Sequence, residues 1–165
     1  MVRMKMKKLL LTIIFAIFST NVSAQDYDDG IEAWGNKNYA LAISNLEPLA
    51  IQGHLKAQKA LGMIFFTTLG KPADYTEAHK WFQLAANQGN NYAQYMIGHM
   101  YNIGLGVGND IILAYMWLNI AFSNGFEASA DSIDVLEADM TLEDISKATA
   151  MARECMNSDY KKCGY

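Results

Sequence analysis

The chain has 165 residues, 52% of them hydrophobic and 18% charged, which suits one domain with a buried core and is too apolar for an intrinsically disordered chain. Two prolines in all exclude a linker-rich organisation. The formal charge of −4 conceals an asymmetry, because four of the thirteen basic residues lie in the first eight positions while no acid precedes Asp26.

In chain order, Arg3, Lys5, Lys7 and Lys8 precede an apolar run from Leu9 to Phe18, and Val22-Ser23-Ala24 sets small residues where a signal peptidase reads. The pattern predicts a secretory signal peptide over 1–24, cleaved after Ala24. This ten-residue run falls short of the roughly 20 that span a hydrocarbon core, and no later stretch is long enough to span one, so no membrane span is expected after cleavage. What remains has nine basic and seventeen acidic residues, a net −8 that argues against nucleic acid or anionic membranes as partners. The expected location is periplasmic or secreted.

From residue 25 onward the chain is periodic. Gly53, Gly89 and Gly125 are 36 residues apart, as are Ala57 and Ala93, Gly62 and Gly98, Asp74 and Asp110, Ala78 and Ala114, Trp81 and Trp117, and Ala85 and Ala121; laying 53–88 over 89–124 gives ten identities. Residues 25–53 form a degenerate first unit, with Gly30, Tyr39, Ala42, Leu46, Leu49-Ala50 and Gly53. Units 54–89 and 90–125 follow. In the second of them Ala93, Ile97, Gly98 and Tyr101 make one apolar helical face, broken by a glycine where a neighbouring helix must come close. The glycines of Gly104-Leu-Gly-Val-Gly108 allow positive φ through the turn, Asp110 caps a second helix carrying Ala114, Trp117, Leu118 and Ala121, and Asn124-Gly125 ends it. The earlier unit repeats this with Asp74 as cap, Ala78, Trp81, Phe82 and Ala85 as buried stripe, and a loop, Thr68-Leu-Gly-Lys-Pro72, that loses one glycine. Residues 126–165 hold a partial unit and a last helix at about 142–157, opened by the capping box Thr141-Leu-Glu-Asp144. Cys155 and Cys163 are expected to pair in an oxidising compartment and to tie the tail to that helix.

The spacing of Ala93, Ile97-Gly98, Tyr101, Gly104, Gly106-Val107, Asp110, Ala114, Trp117, Ala121 and Gly125 resembles the Sel-one-like repeat (SLR), a relative of the tetratricopeptide repeat. Residues 57–89 resemble it as well, through Ala57, Leu61-Gly62, Phe65, Asp74, Ala78, Trp81, Ala85-Ala86 and Gly89. The resemblance implies an all-α fold, an α/α solenoid of stacked antiparallel helix pairs whose end units need a polar outer face. It also implies a concave face that holds a protein or peptide partner. Carrying over the tetratricopeptide rule for first-helix positions, the groove residues would be Tyr27, Ile31 and Trp34, then Lys56, Lys59, Met63 and Phe66, then Tyr92, Tyr95, His99 and Asn102. Large adaptable apolar side chains suit an interface, although Met63 and Ile31 are as well explained by packing.

Catalytic motifs are weak. Ser158-Asp-Tyr-Lys161 has the form S-x-x-K without its companion motifs, Gly104–Gly108 follows a helix rather than a strand, and His54, His79 and His99 make no i, i+4 ligand pair and suit the surface or the groove. Asp74 and Glu77 share one helical turn, where capping accounts for them. The reading is therefore a non-catalytic, exported, monomeric scaffold, adaptor or regulator that needs no cofactor and binds a protein or peptide in the envelope or outside the cell. The alternative is a secreted hydrolase of cell-wall or β-lactam-like compounds, a role implied by some secreted SLR relatives; those carry a cysteine pair in each repeat, and this chain has one pair in all.

Overall fold

A computed structural model describes residues 26–67 and 73–163; the expected signal peptide and the loop Thr68–Pro72 lie outside these. Among the described residues there are eight helices and no strand: α1 at 26–35, α2 Tyr39–Ile51, α3 Leu55–Phe66, α4 Tyr75–Ala86, α5 Asn91–Ile103, α6 Ile111–Ser123, α7 Ser129–Glu137 and α8 Leu142–Asn157. The expected all-α solenoid of stacked pairs is what forms. None of these helices is long and apolar enough to cross a membrane.

Local chemistry marks the helix boundaries. Backbone amides at the helix starts have no intrahelical acceptor, and side chains of Asn38, His54, Asp74, Asn90, Asp110 and Thr141 accept from them at the starts of α2 to α6 and α8. His54 is thus a cap, its Nδ1 accepting from Ala57 N at 3.2 Å, where a surface or groove histidine was expected. The exception is α7, whose cap position, Ala128, has no side chain to offer. At the other ends Gly53, Gly89 and Gly125 take φ of +89°, +81° and +87°, a left-handed conformation in which a Cβ is strained. In the loop after α5, Gly104 and Gly106 have positive φ and Gly108 does not.

Each of the first three pairs closes around one glycine. A Cβ at Gly30 would lie 2.7 Å from Leu46, at Gly62 2.6 Å from the Phe82 ring, and at Gly98 2.8 Å from Leu118 and 3.1 Å from the Ala114 carbonyl. The residue 36 positions after Gly98 is Asp134, which is exposed, and α8 packs on α6 instead of closing a pair with α7. The partial unit is partial for this reason. Its first helix is held by burying Ile133 and Leu136 and by the Tyr115 hydroxyl donating to Glu137 Oε1 at 2.6 Å.

Two cores result, with α4 as the wall between them. Trp81 fills the cluster made with α1, α2 and α3, while its neighbour Phe82 and, further on, Trp117 belong to the cluster shared by α4 to α8. Both tryptophans are buried, as their place in the repeat implied.

A second device was not anticipated. Gln58 and Gln94 are buried, and each donates its amide to the carbonyl of the residue eight positions back, Ala50 at 3.0 Å and Ala86 at 3.1 Å, satisfying an acceptor at the end of the preceding helix. Each then accepts from the next turn: Gln58 Oε1 from Gln88 at 2.7 Å, Gln94 Oε1 from Asn124 at 2.8 Å. These bonds recur with the 36-residue period and join successive units.

Gly98→Ala is expected to lower stability by about 2 kcal/mol through overpacking against Leu118, read as a shifted denaturant midpoint. Gly35→Ala, where a Cβ would meet nothing within 4 Å, should change it by less than about 1 kcal/mol. Equal losses at both sites would refute the close-approach explanation.

Candidate functional site

The buried stripe of α3 (Ala57, Gln58, Ala60, Leu61, Gly62, Ile64) and that of α5 (Ala93, Gln94, Met96, Ile97, Gly98, Met100) occupy the same register. The opposite register holds Lys56, Lys59, Met63 and Phe66 on α3 and Tyr92, Tyr95, His99 and Asn102 on α5, 36 residues apart position by position. Aligning Gly30 with Gly62 puts Tyr27, Ile31 and Trp34 of α1 in line with Lys59, Met63 and Phe66. None of these eleven side chains is buried; Lys56 is exposed and the other ten are half-buried.

Their surroundings differ. Tyr27, Ile31 and Trp34 lean on the N-terminal core, and Tyr27 also meets the His54 ring at 5.2 Å. Met63, Phe66, Tyr92 and Tyr95 lean on the second core. Phe66 turns toward Tyr75 and Phe82, at 5.4 and 6.3 Å between ring centroids, and Phe82 in turn meets Tyr92 at 6.2 Å. The best-gathered group is on α5. The Phe126 ring, from the turn into α7, lies 4.9 Å from Tyr95 and 5.9 Å from Tyr92, and Tyr95 lies 6.3 Å from His99. Burial, then the neighbouring Tyr95, holds the Tyr92 phenol above its ordinary pKa, so it remains a neutral donor.

Sequence reasoning expected a partial unit after Gly125 but named no groove residue beyond Asn102, and so missed Phe126 and the exposed row of α7. With Ser129, Ile133 and Leu136 buried, α7 keeps the α5 register, so Ala128, Asp131, Val135 and Ala138 continue the row of Tyr92, Tyr95, His99 and Asn102, all four exposed. The signal that could have found them was the period itself, carried one unit past Gly125.

His54, His79 and the tail serve structure. His79 is half-buried and packs edge-on to Tyr101 at 5.5 Å, which corrects its expected place on the surface or in the groove; burial lowers its pKa. The Ser158 hydroxyl donates to the Cys155 carbonyl at 2.8 Å and accepts from Lys162 N at 2.9 Å, so it closes the end of α8. Cys155 and Cys163 are buried, with their sulfurs at bonding distance, 1.98 Å. The turn they enclose seats Tyr160 against Gly89, with its hydroxyl accepting from Asn124 Nδ2 at 2.8 Å. A groove between α1 and α2 is lined by Asp29, Glu32, Ala33, Asn36, Leu41 and Asn45, with neither serine nor histidine among them. Among the described residues no cluster of His, Cys, Asp or Glu is arranged to hold a metal.

Two predictions follow from the tail and from His79. Cys155→Ser, or a reductant, should cost about 2–3 kcal/mol of stability by freeing the short closed loop, read as a lower Tm; an unmoved Tm would show that the sulfurs are not joined in the native protein. His79 has a folded pKa below its unfolded value of about 6.5, so the unfolded chain binds the proton first. Its contribution is complete above pH 6.5 and declines as pH falls toward the folded pKa. His79→Phe should therefore flatten the urea-midpoint profile just below pH 6.5, and an unchanged profile would count against the burial.

A family model described as Sel1 repeat matches residues 55–90 and 91–126. Among solved structures, the chain is similar to a protective antigen present in uropathogenic Escherichia coli strains that displays an SLR fold, at 21% identity and a TM-score of 0.75 over 86% of this chain and 32% of that one. It is also similar to a Sel1 repeat protein from Oxalobacter formigenes, at 26% identity and a TM-score of 0.61 over 75% of this chain and 96% of that one. The chain thus spans about a third of the length of the first of these. No curated protein matches it.

Proposed function

We propose that this chain, a Sel1-repeat solenoid, is a non-catalytic scaffold, adaptor or regulator that binds a protein or peptide across the face formed by α1, α3, α5 and α7. One observation carries the reading. At one register of successive first helices, opposite the buried stripe, stand half-exposed aromatic, methionine and lysine side chains, gathered most closely at Tyr92, Tyr95, His99 and Phe126. Tyrosine buries a large contact area at small entropic cost, and the flexible methionine adapts to a partner's shape. Repeat scaffolds present such faces because each unit must spend its other side on its neighbours.

We infer export from the basic and apolar pattern of 1–24, and the cysteine pair supports an oxidising compartment, periplasmic or extracellular. The partner is a protein or peptide rather than nucleic acid, given the net −8 of residues 25–165, and the chain acts as a monomer.

The test is site-specific photo-crosslinking in the native cell. A benzophenone side chain at position 95 or 63 is expected to give one defined adduct, and the same group at position 147 on α8 none. Tyr95→Ala should abolish capture of that partner with helical circular dichroism unchanged. Equal adducts from position 147, or none from 95 and 63, would overturn the assignment, and loss of helicity in Tyr95→Ala would make Tyr95 a core residue.

A further inference from the structure

The face is electrically uneven. On the first helices of the pairs, Lys56 and Lys59 are the only cations among the described residues; α1 carries Asp26, Asp28, Asp29 and Glu32, none of them in the row of Tyr27, Ile31 and Trp34, α3 carries no acid, α5 carries neither Lys, Arg, Asp nor Glu, and α7 carries Asp131, Asp134 and Glu137 with no base. Glu137 is engaged by Tyr115, whereas Asp131 stands exposed in the row of Lys59 and Tyr95. The one ion pair among the described residues, Lys80 with Glu77, lies on α4, so among those residues Lys56, Lys59 and Asp131 form no ion pair. Between the two charged steps lies the aromatic group of Tyr92, Tyr95 and Phe126, and beside Asp131 is Val135, 65% exposed.

We infer that the face binds its peptide in one orientation: an acidic end over Lys56 and Lys59 on α3, an apolar middle against Tyr95, His99 and Phe126 on α5, and a basic end over Asp131 on α7. The inference rests on the peptide-binding reading and specifies the peptide. Charge complementarity at a rim sets register and excludes the reversed partner, while the desolvated centre supplies most of the affinity. Lys59, Tyr95 and Asp131 stand one unit apart in turn, so the two charged steps are two units apart along the face, within reach of a short extended segment. A short linear segment with opposite charges at its two ends fits that span.

The probe is a synthetic octapeptide, acetyl-Glu-Glu-Ser-Leu-Phe-Ser-Lys-Lys-amide, carrying a nitroxide at one end or the other and titrated into isotope-labelled protein. The label at the acidic end is expected to broaden amide signals of α3, and the label at the basic end those of α7. Lys56→Glu with Lys59→Glu should weaken binding about tenfold, and adding Asp131→Lys should restore it with the two broadening patterns exchanged. Both lysines lie off the buried stripe, so circular dichroism should show these variants folded. Binding with the same broadening from either label, or unaffected by charge reversal, overturns the fixed orientation and leaves peptide binding standing. No broadening anywhere on this face, at millimolar probe and with a neutral control peptide as well, overturns both.

Discussion

Everything in this solenoid depends on how closely two helices of a pair can approach, and that is limited by one missing side chain. At Gly30, Gly62 and Gly98 a single Cβ would lie within 3 Å of the partner helix's Leu46, Phe82 or Leu118. Without it, the large side chains of the second helix reach across and become fully buried, and burying each is worth about 2 kcal/mol. The same constraint says where the regular stacking stops. With Asp134 in the corresponding place, α7 cannot close on α8, and α8 settles on α6.

Close approach sets the pairs but not their connection. Stacking one pair on the next buries the carbonyls at the ends of α2 and α4, and a buried carbonyl without a donor costs about 1–3 kcal/mol. Gln58 and Gln94 meet that requirement, and each is completed by an amide from the following turn, Gln88 or Asn124. The bonding therefore runs across unit boundaries, and the last link passes to Tyr160 of the tail. The cysteines matter here because they enclose the turn that presents Tyr160, so the last turn is covered by the chain's own tail.

The parts of this architecture that were legible in the sequence are those where a local conformation forces a residue type. Glycine at positive φ, Asp or Thr at a helix start and tryptophan in a repeat core each follow from steric or hydrogen-bonding needs met within a few residues, so helix ends, the glycine contacts and both tryptophans were readable from spacing. The buried glutamines were not. Their identity at 58 and 94 counts toward the period, but an amide's partners 8 and 30 residues away are not implied by any local pattern. His54 and His79 were misplaced for a related reason: a lone histidine has no periodicity, and only the packing reveals a cap in one and a half-buried ring against Tyr101 in the other.

The candidate face was half legible. Register rules carried from related repeats pick out positions on α1, α3 and α5 that lie off the buried stripe, because burial on one side of an amphipathic helix fixes which side is left over. They stop at Gly125 because α7 has no capping side chain and no glycine at position 134, the two marks by which a further unit would be known. Yet burial of Ser129, Ile133 and Leu136 keeps α7 in register, and so Asp131 and Val135 extend the face where the repeat motif has already ended. A motif fades once its glycine and cap are lost, whereas a binding surface needs only that the register persist. The end of the repeat and the end of the proposed face are therefore different places, and the acidic end of that proposed face lies in the stretch between them.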